Sequence, residues 1–140
     1  MFVGAIGDEK EVKPIQIGFC FQVTDVRKPL LAVKRISEKG NLVQFGPEDK
    51  DNFIQNKRTG DRVELRPKGG SYILDAQLKD GRWTEITVDS AAEESVCPSQ
   101  WAQDYGIKQE GHKLNLVNAS GGKIQHYGSR DVVVKANSTF

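Results

Sequence analysis

The alternation Ile15-Gln16-Ile17-Gly18-Phe19-Cys20-Phe21-Gln22-Val23 constrains this chain more than any other stretch. Apolar side chains at every second position, rich in β-branched and aromatic types, suit a strand with one buried face and not an amphipathic helix. The same pattern predicts strands at 41–45, 53–56, 62–66, 71–78, 83–88, 113–118 and 131–136. Thr59-Gly60-Asp61, Lys68-Gly69-Gly70, Lys79-Asp80-Gly81 and Ser120-Gly121-Gly122 supply turns between them, since these residues tolerate positive φ. One helix is predicted between Pro29 and Gly40, on the apolar positions Leu30, Leu31, Val33 and Ile36. A second, shorter one is predicted at 98–105, opened by Pro98 or Ser99. Many short strands and one clear helix in 140 residues predict a single all-β domain closed on itself, because two separate cores would each be too small. The polar stretch 46–70 reads as an added hairpin within that domain.

Charge excludes some classes of partner. Twenty basic residues against 19 acidic ones leave a net charge of +1, with the two signs interspersed. Such a chain has no field to draw in nucleic acid or an anionic membrane. No apolar run approaches the roughly 20 residues that span a bilayer. The start, Met1 to Lys10, lacks the basic and apolar segments of a signal peptide, so a cytoplasmic location is the default expectation. Cys20 and Cys97 lack metal-ligand spacing and read as buried thiols, with a disulfide between them as the alternative. His112 and His126 are too isolated to nominate a zinc site, so no metal or cofactor is expected.

The chemistry points to Asp89. The strand Glu85-Ile86-Thr87-Val88 runs directly into Asp89-Ser90-Ala91-Ala92, which puts a carboxylate on a tight loop against the core. Partial burial and a neighbouring like charge at such a place can hold one proton beside a reacting atom. The plainer reading makes Asp89 a turn or helix-capping residue.

The run Asp89-Ser90-Ala91-Ala92-Glu93-Glu94-Ser95-Val96 resembles the signature of retropepsins, the retroviral and retrotransposon type of aspartic protease: Asp-Thr/Ser-Gly-Ala, two acids, Ser or Thr, and Val. Ala119-Ser120-Gly121-Gly122-Lys123-Ile124 resembles the glycine-rich flap that closes over substrate in that family. The apolar pair and helix found near the family's C-terminus are similar to Leu30-Leu31-Ala32 and the helix 33–39, but here they precede the signature. The resemblance therefore implies a circularly permuted retropepsin. Residues 15–45 would correspond to the family's C-terminal half and 71–136 to its N-terminal half, with 46–70 joining the old chain ends.

The resemblance implies a homodimeric aspartic endopeptidase acting on an extended peptide or polyprotein, with Asp89 as the single catalytic residue of each chain. Ser90, Ala91 and Ala92 would support the catalytic loop, and Leu30, Leu31 and Ala32 would pack behind it. Residues 119–124 would bind substrate from above, and Ile124, Val88 and Leu31 would be apolar pocket residues. The chain departs from the pattern at three places. Ala91 and Ala32 replace family glycines, and Val33 replaces an arginine that pairs with an acid after the signature, leaving Arg35 or Arg27 to partner Glu93. Those departures define the alternative, an inactive relative that serves as a dimeric peptide-binding or assembly module. A third reading sets the resemblance aside and takes a small all-β binding barrel.

Overall fold

The computed structural model describes residues 13–109, 116–117 and 123–138. Its longest strands are β1 (Lys13–Thr24) and β12 (His126–Ser138), which pair antiparallel along their whole length, from Lys13 opposite Ser138 to Thr24 opposite His126. Their period-two patterns explain the pairing. Phe19, Phe21 and Val23 point inward from β1, and Val132, Val134 and Ala136 from β12.

The remaining elements in chain order are β2 (Leu30–Ala32), α1 (Val33–Glu38), β3 (Asn41–Gln44), β4 (Phe53–Asn56), β5 (Arg62–Glu64), β6 (Arg66–Lys68), β7 (Ser71–Gln77), β8 (Trp83–Asp89), β9 (Val96–Pro98), β10 (Leu116–Val117) and β11 (Lys123–Ile124). Six strands in the order β12-β1-β9-β2-β8-β7 close into a barrel through the pairing of β12 with β7, and β6 extends the sheet beyond β7. The chain is thus all-β with a closed barrel and one short α-helix among the described residues, as the strand patterns predict.

Phe21, Leu31, Leu74, Ile86, Val132 and Val134 fill the barrel and are almost completely buried. Each such side chain contributes about 1.5–3 kcal/mol by leaving water. Phe21 meets Phe19 and Trp101 edge to face, at ring separations of 6.2 and 5.0 Å. The 99–106 segment packs on the core through Trp101, Ala102 and Tyr105. There buried Arg130 donates to the carbonyl oxygens of Gly106 (2.7 Å), Ser99 (3.2 Å) and Trp101.

The 46–70 stretch is richer than a single hairpin. β3, β4 and β5 form a three-stranded antiparallel sheet, and the chain then passes through β6 to rejoin β7. Ile54, Val63 and Leu65 of this region enter the same core as the barrel strands.

Three expectations need correction. Leu30, Leu31 and Ala32 form a strand, not the first turn of a helix, and Ala32 is extended at φ −81° and ψ 123°. Parallel pairing of β2 with β8 overrides the helical propensity of Leu-Leu-Ala. The helix expected at 98–105 is reduced to one 3-10 turn at Gln103–Tyr105, because Pro98 belongs to β9 and Ala102 is left-handed at φ 57°. The strand expected at 62–66 is split where the Leu65 N–H turns aside to the Asn52 carbonyl, at 2.8 Å.

Candidate active site

β8 carries Asp89 at its C-terminal end, with β7 on one side and β2 on the other. Leu30, Leu31 and Ala32 lie opposite Thr87, Val88 and Asp89 in parallel register, so Ala32 is the direct neighbour of Asp89. β9 follows β8 in the chain but pairs with the far side of β2, Leu30 opposite Val96. The loop 90–95 must therefore cross the end of β2 where α1 begins. Leu31 and Ala32 are buried there, at 1% and 0% exposure, which fixes the floor beneath the loop.

Two contacts bind the loop to that floor. The Ala32 N–H donates to the Ser95 hydroxyl oxygen at 3.0 Å in a buried position, and the Gln22 N–H donates to the Ser95 carbonyl at 2.8 Å. On the outer side, Arg35 donates through Nε to the Glu93 carbonyl at 3.1 Å. Its remaining nitrogens reach the Glu94 carboxylate and, at 2.9 Å, Glu38. Arg35 is thus the arginine that meets the acidic pair, but it bonds the Glu94 side chain and only the backbone of Glu93. Its pKa is raised, first by the hydrogen bond to Glu94 and then by that to Glu38.

Asp89 is half-buried, and its Oδ1 accepts the Ala91 N–H at 2.8 Å, closing a local turn. Ser90 and Ala91 are exposed, and among the described residues the Ser90 hydroxyl has no hydrogen-bond partner within the chain. Ala92 is half-buried. Neither Ala91 nor Ala32 has a positive φ, since Ala102 is the only non-glycine among the described residues that does. A methyl group at either position therefore carries no left-handed strain.

Asp89 lines a surface cleft of about 440 Å³ together with Lys28, Leu30, Phe45, Tyr72, Val88 and Ser90, among others. Phe45 and Tyr72 pack with ring centroids 4.5 Å apart and form one aromatic wall. Val88 and Leu31 both belong to the core; Val88 also lines this cleft and Leu31 does not. Lys28, Phe45 and Tyr72 escape a motif-based reading because they come from three distant segments that only the fold assembles. β3, which leads to Phe45, is the outermost strand of its sheet and exposes Leu42.

Ala119, Ser120, Gly121 and Gly122 lie outside the described residues. Lys123 and Ile124 form β11, which pairs antiparallel with β10, Val117 opposite Lys123 and Leu116 opposite Ile124. Among the described residues no cluster of three or more His, Cys, Asp or Glu side chains could hold a metal ion. Both cysteines are free thiols. Burial pushes the Cys97 thiol up to about 11. Burial, and then a hydrogen bond to the Asp131 carboxylate, raises that of Cys20.

Comparison of the chain with protein-family models, with characterised proteins and with solved structures finds no match. The functional reading therefore rests on the residues and their geometry.

Proposed function

We propose that the protein is a homodimeric aspartic endopeptidase of circularly permuted retropepsin type, with Asp89 of each chain forming half of the catalytic centre. The observation that carries this reading is the seat of Asp89. It stands at the end of a barrel strand, at the start of a loop anchored by Ser95 and Arg35, and it lines a cleft. A residue serving only as a turn has no need of that anchoring or of the cleft. The β2 strand beneath the loop is the Leu-Leu-Ala element that the sequence resemblance assigns to this position.

One carboxylate is half of such a site, so a second copy must supply the other. The outer edge of β3 has no strand partner among the described residues, and Leu42 and Phe45 are exposed at 43% and 36%. An unpaired edge of this kind is open to pairing with another chain, and two-fold pairing would be isologous. Phe45 also lines the Asp89 cleft, so that face would bring the two clefts together.

In the dimer, two close carboxyls cannot both hold a charge at little cost, so one proton lies between them. The ionised member takes a proton from a water held between them as that water attacks the scissile carbonyl. The protonated member stabilises the developing oxyanion. Ser90, exposed beside Asp89, would bond across the two-fold axis to brace the partner loop. Residues 119–124 would close over the substrate backbone.

The test is cleavage of a mixed peptide library at several acidic pH values, alongside Asp89→Asn. Cleavage that disappears in the variant supports the enzyme. A dimer that cleaves nothing but binds peptides supports the assembly-module alternative, and a strict monomer excludes both.

A further inference from the structure

We propose that Lys28 makes this cleft selective for peptides that carry an acidic side chain beside apolar residues at the scissile bond. The inference rests on the endopeptidase reading of the Asp89 cleft and adds its substrate class.

The cleft lining has an uneven chemistry. Leu30, Phe45, Tyr72 and Val88 give it apolar and aromatic walls, and Lys28 and Asp89 are its only charged members among the described residues. Lys28 is exposed and forms no ion pair among the described residues, whereas Arg35, Arg66, Lys68 and Arg82 all do. Its side chain is free but its backbone is held. The next residue, Pro29, is buried, and its carbonyl accepts the Thr87 N–H of β8 at 3.3 Å. The root of the Lys28 side chain is thus fixed beside the strand that carries Asp89, and the ammonium group can reach across the cleft from there.

Charge then decides what the cleft accepts. A two-fold dimer brings two Lys28 and two Asp89 to the joined cleft. Two carboxyls sharing one proton carry one negative charge, so the cleft keeps a net positive charge. A wholly apolar peptide would cover both ammonium groups without pairing them, which costs free energy. A Glu or Asp flanking the apolar residues supplies the missing partner, and a Lys or Arg there is repelled.

The experiment uses three fluorogenic peptides with one apolar core and Glu, Gln or Lys at the flanking positions. They are assayed with the wild type, Lys28→Met and Lys28→Glu. The wild type should prefer Glu over Gln by roughly tenfold in kcat/KM, with Lys the poorest. Lys28→Met should abolish the ranking and Lys28→Glu should invert it, and added salt should compress it. An unchanged ranking in all three proteins overturns the assignment of Lys28. Fluorescence anisotropy of the same peptides on Asp89→Asn reads the selectivity without cleavage. A Glu preference there that Lys28→Met removes supports the inference even if the wild type cuts nothing, an outcome that would sink only the endopeptidase reading. Equal binding of all three peptides overturns the inference.

Discussion

Replacing Ser95 with Ala tests the physical account of the Asp89 loop most sharply. The Ser95 hydroxyl oxygen accepts the Ala32 N–H at 3.0 Å, and both residues are almost fully buried, at 3% and 0% exposure. The substitution removes one oxygen and barely changes the volume, so cavity effects are small. It strands a buried backbone donor where water cannot replace the lost acceptor. Leaving such a group unsatisfied costs about 1–3 kcal/mol. With a urea m-value of about 2 kcal/mol/M for a small domain, the midpoint should fall by roughly 0.5–1.5 M at unchanged slope. Ser95→Thr retains the hydroxyl and should recover most of the loss. Hydrogen exchange should also quicken at the Ala32 amide and through the loop 90–95, because the anchor holds both. A midpoint for Ser95→Ala within about 0.3 M of the wild type would refute the claim that this bond fixes the loop.

Other outcomes follow from the same geometry. Arg35→Gln should cost less than about 1 kcal/mol in global stability, since the Arg35 side chain is 40% exposed, yet should speed exchange in 90–95 by freeing Glu93 and Glu94. Gly128→Ala should cost roughly 2–4 kcal/mol by thermal melt, because at φ 131° a Cβ would stand 2.5 Å from the Lys108 carbonyl oxygen and 2.8 Å from Ile107 Cγ2. Burial lifts the Cys97 thiol from its ordinary 9.0 to about 11. Between those values the unfolded chain has released a proton that the fold retains, so stability is fully present below about pH 9 and declines towards pH 11. The loss should be at most about 3 kcal/mol, and a denaturation series in that window checks it. Cys97→Ala should flatten that decline, with Cys20 leaving a smaller remainder.

Much of the barrel could be read from the chain because its signal is local. The inward positions of β1 and of the 131–136 part of β12 follow from period-two alternation alone. Leu30 to Ala32 misled because a Leu-Leu-Ala run favours a helix, and only the distant strand β8 makes it extended. The 98–105 segment misled for a related reason, since Pro98 is drawn into pairing with Thr24 of β1. Asp89 was legible as an acid closing a strand, a property of adjacent residues. Its anchoring by Arg35 was only half legible, because which acid the guanidinium meets depends on how α1 sits against the loop. The walls contributed by Lys28, Phe45 and Tyr72 were not legible, as their proximity is purely tertiary.

The central claim is that two copies of Asp89 make one active site, and a mixing experiment tests it most directly. Wild type and Asp89→Asn are combined in equal amounts at fixed total concentration, allowed to exchange subunits, and assayed on a cleavable peptide. If both carboxyls are required, only wild-type pairs cut, and activity should fall to about a quarter of that of undiluted wild type. Activity of one half would show that each chain acts alone and would contradict the account.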